Sequence, residues 1–136
     1  WRDYEVKLER GKFYNIQFRT PGSELFFQGF NRPFVFTGTL YTRYIYSPVS
    51  FFFRVPDDEH EVKIQIPLKS NKVVVKSGDQ VLFNQSQYDP YVLDINDKEG
   101  QVIEVIMYRH GLKLLNIPQL LALHPEGIIF QSNHTQ

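Results

Sequence analysis

Apolar and polar side chains alternate along most of this 136-residue chain. Over Glu61–Ile66, branched aliphatic residues take every second position, while charged and amide residues take the others. Because successive side chains of a β-strand point to opposite faces, a period of two is typical of a strand with one buried and one solvated face. Tyr14, Ile16 and Phe18 repeat the pattern. The sequence therefore predicts an all-β protein.

Strand candidates follow one another at short intervals, and nearly every gap contains a turn-forming residue. Gly38 is interpreted either as a turn or as a bulge within one long strand. Residues 118–124 break the alternation, and their clustered apolar residues predict a single buried helical turn or an irregular crossing. The predicted strands cover residues 4–9, 12–19, 24–30, 34–37, 39–46, 49–55, 62–66, 73–76, 80–83, 91–95, 101–109, 112–117 and 128–131.

The apolar face of each predicted strand needs a second layer to leave water, and two sheets packed face to face supply one. We therefore predict a two-sheet antiparallel β-sandwich of jelly-roll or Greek-key type, with a closed barrel as the alternative. The length predicts a single domain over residues 1–136. Since residues 1–4 carry neither an initiator methionine nor a signal peptide, we expect this domain to come from a longer protein.

Charge and composition argue against several classes of partner. Fifteen lysine and arginine residues balance 15 aspartate and glutamate residues, so no large basic field is available to bind nucleic acid. No apolar run approaches the roughly 20 residues of a membrane-spanning helix, so no membrane span is expected. The absence of cysteine removes disulfides, thiolate nucleophiles and thiol-bound zinc together.

Aromatic residues are more numerous than one buried face can accommodate. Alternation over residues 49–55 puts Phe51 and Phe53 on one face and Phe52 on the other, so Phe52 should contact water. Exposed rings beside hydrogen-bonding side chains are suited to stacking on sugar rings. The alternative is that these aromatic residues fill the core or pack against a neighbouring domain. The candidate ligand-binding residues are Tyr41, Arg43, Tyr44, Tyr46 and Phe52.

The densest group of carboxylates gives the candidate metal ligands Asp57, Asp58 and Glu59. Carboxylate oxygens are the ligands that calcium prefers, so a structural calcium ion is one interpretation of this turn. Their spacing does not support it, and a solvated acidic loop is the alternative. We predict no cofactor.

No catalytic motif is evident. The four histidines, His60, His110, His124 and His134, show neither H-x-H nor H-E-x-x-H spacing. No serine lies in a G-x-S-x-G turn, and no glycine-rich phosphate loop is present. Distant carboxylates could still meet in space as a glycosidase pair. We predict that this domain is not an enzyme.

Three segments carry a resemblance to known modules. Residues 50–56 are followed by an acidic turn and by residues 62–66, and residues 73–83 contain the hairpin turn Ser77-Gly78-Asp79. With residues 101–108, they resemble the accessory β-sandwich modules of secreted bacterial hydrolases, of the pre-peptidase C-terminal and carbohydrate-binding types. The resemblance covers about half the chain.

The resemblance implies a non-catalytic module of an extracellular or periplasmic glycosidase or protease. Its task would be carbohydrate binding, with a polysaccharide or glycan as partner. The alternative is a structural module that packs against a neighbouring domain of the parent hydrolase and has no ligand of its own.

Overall fold

Residue contacts in a computed structural model divide the chain into two compact units, Trp1–Phe30 and Asn31–Gln136. The fold given below is that of the second unit, because only two residues of the first are described. The prediction of a single domain over residues 1–136 stays a prediction. The structure describes residues 7, 9, 36–37, 40–41, 48–109, 111–126 and 128.

Antiparallel strands make up most of the described residues, as the alternating pattern predicts. Helical backbone is confined, within the described ranges, to residues 125, 126 and 128. The strands are β1 (Phe36–Thr37), β2 (Leu40–Tyr41), β3 (Val49–Arg54), β4 (Glu61–Ile66), β5 (Asn71–Ser77), β6 (Gln80–Gln87), β7 (Tyr91–Asn96), β8 (Val102–Met107), β9 (Gly111–Leu114) and β10 (Leu120–Leu121).

Eight of these strands form two four-stranded sheets, ordered β2-β9-β4-β7 and β3-β8-β5-β6. Successive strands from β2 to β5 alternate between the sheets, β5 and β6 form a hairpin, and β7 to β9 alternate again. This order is that of a jelly roll, in which a long hairpin is folded over itself. The predicted antiparallel β-sandwich is confirmed. β1 and β10 form a further two-stranded sheet.

The inward residues of both sheets form one hydrophobic core. The alternation predicted for residues 49–55 is confirmed, because Phe51 and Phe53 are buried while Phe52, on the opposite face, is only half-buried. The same alternation buries every second residue of β4, β5 and β8. The fully buried large side chains are Phe53, Val55, Val62, Ile64, Ile66, Val73, Val75, Ile103, Met107, Leu112 and Leu121.

Within residues 34–46, the described residues 36–37 and 40–41 belong to two different sheets. β1 pairs with β10, whereas β2 pairs with β9 in one of the two main sheets. The two short strands on either side of Gly38 therefore have different partners.

The structure differs from the prediction over residues 118–124. The predicted helical turn does not form. The segment contains the two residues of β10 and an antiparallel bridge from Ala122 to Phe52, with irregular backbone at 118–119 and 123–124, so it fits the predicted irregular crossing only in part. β1 pairs with Leu120 and Leu121, and the edge of β3 pairs with Ala122. These backbone hydrogen bonds outweigh the clustered apolar pattern. The predicted strand over 128–131 is wrong at its first residue, because Ile128 has helical backbone. Residues 129–131 lie outside the described part of the chain.

The end of β9 is set by a side chain. The predicted strand over 112–117 stops at Leu114, where the side-chain amide of Gln119 takes the place of a neighbouring strand. Its Oε1 accepts the backbone N–H of Leu114 (2.7 Å), and its Nε2 donates to the carbonyl of Leu112 (3.1 Å).

β6 is longer than predicted and continues through residues 84–87 to pair with β5. These polar residues were expected to form a loop. β6 is the edge strand of its sheet. Backbone hydrogen bonds to β5 can therefore form there even though the side chains of residues 84–87 are polar.

Asn71 is the buried polar residue of the described core, with 1% of its surface exposed. Its Nδ2 donates to the carbonyl of Arg109 (2.7 Å), and its Oδ1 accepts the backbone N–H of the same residue (2.9 Å). Asn71 therefore ties the start of β5 to the segment that follows β8.

Replacing Asn71 by alanine should lower the free energy of unfolding by about 1–3 kcal/mol, because both backbone groups of Arg109 lose their partner. Urea denaturation of Asn71→Ala and of the control Asn96→Ala, at an exposed position of β7, measures the difference. Equal stability of the two variants would show that the Asn71 contacts contribute nothing.

Replacing Ile64 by alanine should lower the free energy of unfolding by about 2–5 kcal/mol, because it leaves a cavity between the sheets. Ile64 is 0% exposed, whereas Val92 on neighbouring β7 is 50% exposed. The control Val92→Ala should stay within about 0.5 kcal/mol of the parent protein. Similar losses in the two variants, measured by chemical denaturation, would contradict the assignment of Ile64 to the core.

Candidate functional site

The outward face of the β2-β9-β4-β7 sheet is dominated by charges that neutralise one another. Lys63 Nζ donates to Glu61 Oε1 (3.0 Å) and to Asp94 Oδ1 (3.1 Å). These hydrogen bonds, to Glu61 first and Asp94 second, raise the pKa of Lys63. Asn116 adds contacts to the same strand, since its Oδ1 accepts the backbone N–H of Lys63 (2.9 Å). On this solvated surface, the charged groups of Glu61, Lys63 and Asp94 already have partners.

The outward face of the β3-β8-β5-β6 sheet has a different composition. It mixes aromatic and aliphatic side chains with hydroxyl, amide and charged groups, and we call it the aromatic face. Most of its members on β3, β5 and β8 are half-buried. It consists of Ser50, Phe52, Arg54, Lys72, Val74, Lys76, Asn84, Ser86, Val102, Glu104, Ile106 and Tyr108.

Phe52 lies at the β3 side of the aromatic face. It is directly opposite Glu104 of β8, and Ser50 Oγ donates to Glu104 Oε2 (2.6 Å). A ring, a carboxylate and a hydroxyl are therefore adjacent on one surface. Lys76, the β5 partner of Glu104, adds an ammonium group to the same row.

Ala122 limits access to the Phe52 ring from the sheet edge. The backbone N–H of Phe52 donates to the carbonyl of Ala122 (2.8 Å), and the Ala122 N–H donates to the Phe52 carbonyl (2.9 Å). Opposed residues of an antiparallel bridge project to the same side, and Ala122 is 0% exposed. The aromatic face is therefore covered at this edge, whereas its central β8 and β5 members, Glu104, Ile106 and Lys76, are half-buried.

Tyr108 extends the aromatic face beyond the end of β8. Alternation after Glu104 and Ile106 places it on the outward side, and its backbone N–H donates to the Lys72 carbonyl (3.4 Å). The Lys72 ammonium lies 5.9 Å from the Tyr108 ring centroid, within the range of a cation–π contact. Tyr108 is 38% exposed.

A second exposed tyrosine follows β6 at the same end of the sandwich. Tyr88 is 67% exposed, and Lys69 Nζ lies 6.0 Å from its ring centroid. The backbone N–H of Ser70 donates to the Tyr88 carbonyl (2.8 Å), which attaches Tyr88 to the segment before β5.

Of the five residues predicted to bind a ligand, the structure describes Phe52 and the backbone of Tyr41. Phe52 lies on the aromatic face, whereas the backbone of Tyr41 belongs to β2, in the other sheet. Arg43, Tyr44 and Tyr46 lie outside the described residues.

Sequence reasoning missed Tyr88 and Tyr108. Tyr88 was placed in a polar loop, and Tyr108 was treated only as part of a strand. The alternation of β8, which buries Ile103, Val105 and Met107, was the available signal, because it places Tyr108 on the opposite face.

The loops that follow β3, β5 and β7 meet at the other end of the sandwich, which we call the acidic loop end. Val55 and Gly100 hold two of these loops together, since the Gly100 N–H donates to the Val55 carbonyl (2.9 Å). The third loop joins β5 to β6, and Lys98 Nζ donates to Oε1 of Gln80 (3.4 Å), the first residue after that loop.

The predicted metal ligands Asp57, Asp58 and Glu59 lie at this end. Asp57 Oδ1 accepts a hydrogen bond from the Arg54 guanidinium (2.6 Å), Asp58 is exposed, and Glu59 is half-buried. Their side chains do not form a converging group among the described residues. A calcium ion bound by these three residues stays a prediction.

A different set of side chains does converge there. The imidazole of His60 contacts the Glu99 carboxylate through Nδ1, and Asp97 lies beside them. Hydrogen bonding to the backbone, followed by hydrogen bonding to His60, holds the pKa of Glu99 below its ordinary value. The histidine spacing in the sequence did not indicate this group, because His60 comes from one loop and Asp97 and Glu99 come from another.

A small cavity of about 230 Å³ lies between the edge strands β6 and β7. Its walls include Leu82, Phe83 and Leu93, and its ionisable groups are Asp94 and Lys98. Asp94 is already paired with Lys63. The prediction that the domain is not an enzyme stays a prediction.

Comparison with family models, curated proteins and solved structures finds no match to this chain. The resemblance to accessory modules of secreted hydrolases therefore stays a prediction. In the part of the chain that the structure describes, no helix is both long and apolar enough to cross a membrane.

Replacing Gly100 by alanine should destabilise the protein by about 1 kcal/mol or more, because its φ of +73° disfavours a side chain. The added Cβ would also lie 3.0 Å from Asp57 Oδ1. Gly78→Ala is the control, since Gly78 has a similar φ of +57° but no atom within 4 Å of its Cβ position. Thermal unfolding should show the larger loss for Gly100→Ala, and equal losses would contradict a steric contribution from the Asp57 contact.

Proposed function

We propose that this domain is a non-catalytic carbohydrate-binding module that binds through the aromatic face. The observation that carries the proposal is the contrast between the two outward faces. One presents charges that already pair with each other, whereas the other presents the partly exposed rings of Phe52 and Tyr108 among hydrogen-bonding side chains.

The chemistry of the aromatic face suits a sugar chain. A flat ring packs against the C–H groups of a pyranose, and neighbouring polar groups hydrogen-bond to its hydroxyls. Glu104 and Ser50 lie beside Phe52, and Lys72 lies beside Tyr108. Each proposed stacking ring thus has a hydrogen-bonding partner within the same face.

The distance between the rings favours an extended ligand. Phe52 is opposite Glu104, and Tyr108 follows Glu104 by four residues, so the two ring positions are about 13 Å apart along β8. The proposed ligand is therefore an oligosaccharide or polysaccharide segment that contacts both ends of the face. The proposed sugars are hydroxyl-rich and neutral, because the chain has a formal net charge of zero and Arg54 on this face is already paired with Asp57.

A packing module without a ligand is the second candidate. Val74 and Ile106 are half-buried neighbours at the centre of the aromatic face. Aliphatic side chains there are suited to contact with a neighbouring domain. In either case we propose that the parent protein is an extracellular or periplasmic hydrolase and that this domain makes and breaks no bond.

Replacing Tyr108 by alanine should weaken carbohydrate binding by about 1–3 kcal/mol, the range for loss of an aromatic side chain on which a ligand ring stacks. A glycan array of neutral polysaccharides identifies the ligand. Isothermal titration calorimetry then measures its affinity for the unsubstituted domain and for the Tyr108→Ala and Phe52→Ala variants. Leu115→Ala is the control, because Leu115 is 43% exposed and follows β9 in the other sheet.

Binding that both aromatic variants weaken and the control retains would support the carbohydrate site. Absence of binding across the array would contradict it. Self-association of the unsubstituted domain in analytical ultracentrifugation, if Ile106→Asp abolishes it, would then support the packing module.

A further inference from the structure

Three potential metal ligands from two loops converge at the acidic loop end. His60 belongs to the β3–β4 loop, and Asp97 and Glu99 belong to the β7–β8 loop. One donor atom from each side chain lies within 4.8 Å of those of the other two. They are an imidazole nitrogen and two carboxylate oxygens, a mixed donor set and not a run of acidic residues.

The backbone fixes the two loops to each other. The Asp97 N–H donates to the His60 carbonyl (2.9 Å), and the Val55 N–H donates to the Gln101 carbonyl (2.9 Å). Asp97 itself has a φ of +57°, a conformation that the surrounding contacts hold in place. The three donors are therefore brought together by the fold and do not depend on the chance orientation of distant surface side chains.

The local charges leave a place for a cation. The nearby cations have other partners, since Arg54 pairs with Asp57, and Lys98 Nζ contacts the side-chain oxygen of Gln80. Within the described residues, Asp97 forms no ion pair, and its carboxylate lies beside that of Glu99. A bound cation would offset the repulsion between two carboxylates this close.

We propose that His60, Asp97 and Glu99 form a binding site for a divalent transition-metal ion of the zinc class. Zinc accepts imidazole nitrogen and carboxylate oxygen together, whereas calcium selects oxygen ligands alone. Two donors on a tetrahedral zinc ion lie about 3.4 Å apart, given bond lengths of about 2.1 Å. The three observed donors lie within 4.8 Å of one another, so side-chain rotation within the two loops brings them to this separation.

Binding requires one rearrangement in the site. The ion takes the place of the contact between His60 and the Glu99 carboxylate, and the imidazole coordinates through an unprotonated nitrogen. Water completes the coordination, because the His60 side chain is 85% exposed. The ion would clamp two loops that otherwise meet mainly through backbone hydrogen bonds.

The test is isothermal titration calorimetry of the chelator-treated full chain with zinc chloride. We expect one equivalent to bind in a manner that depends on His60. His60→Ala, Asp97→Asn and Glu99→Gln should each weaken this binding by at least about tenfold. Circular dichroism of each variant checks the fold, and all three side chains lie in loops where substitution spares the core.

The matched controls are His124→Ala and Asp58→Asn. His124 is an exposed histidine outside the converging group, and Asp58 is an exposed carboxylate of the β3–β4 loop. Both controls should retain the affinity of the parent protein. Absence of binding at millimolar zinc, or binding that His60→Ala leaves unchanged, would overturn the proposal.

A calcium titration separates the two classes of ion. Stronger binding of calcium than of zinc, lost in Asp58→Asn and retained in His60→Ala, would also overturn the zinc site and would favour Asp57, Asp58 and Glu59 as ligands. In a supporting experiment, zinc should perturb the NMR signals of the His60 ring and of the amides of Asp97 and Glu99 before those of the aromatic face.

Discussion

Burial of the inward face of β8 is the interaction on which the rest of the structure depends. Ile103, Val105 and Met107 are each 0% exposed, and β8 is hydrogen-bonded on both sides. Val105 lies opposite Phe51 in β3 and Val75 in β5. Removal of these side chains from water, at about 1.5–3 kcal/mol each, is possible only if a second sheet covers them. The second sheet supplies Val62, Ile64 and Ile66 from β4 for that purpose.

The jelly-roll connections follow from this two-layer core and determine where function is possible. Because the inward faces are used for packing, ligand-binding groups are left on the two outward faces and at the two loop ends. On one outward face, Lys63 forms ion pairs with Glu61 and Asp94. The two proposed sites lie on the aromatic face and at the acidic loop end, which differ in chemistry. The proposed carbohydrate site and the proposed metal site can therefore be tested independently.

Sequence periodicity was enough to predict the fold class and much of the core. The period of two over Glu61–Ile66 and residues 49–55 predicted which residues are buried, and the structure confirms those faces. Periodicity indicates only which face of a strand a residue lies on, so it could not predict where a side chain or an isolated bridge replaces regular strand pairing. The Gln119 side chain that ends β9 and the Ala122 bridge to Phe52 are both of this kind. Apolar clustering in 118–124 predicted a helical turn or an irregular crossing for the same reason.

The candidate sites were less accessible from sequence than the fold. Phe52 could be identified because it is an apolar residue on the otherwise polar side of an alternating strand. Tyr108 was only one residue of the predicted strand 101–109, and its outward position was not considered. His60 and Glu99 are 39 residues apart and meet only because the β3–β4 and β7–β8 loops lie at one end of the jelly roll. No spacing motif encodes such a contact. Assignment of the loops to the ends of the sandwich requires the strand order, which the sequence pattern did not specify.

The central claim is that two antiparallel sheets enclose one core, with β8 covered by β4. Methyl–methyl nuclear Overhauser effects in a protein labelled at isoleucine and valine methyl groups test it most directly. We expect cross-peaks that join Ile103 or Val105 in one sheet to Val62 or Ile64 in the other. Cross-peaks confined to residues within each sheet would contradict the sandwich and the placement of the sites that follows from it.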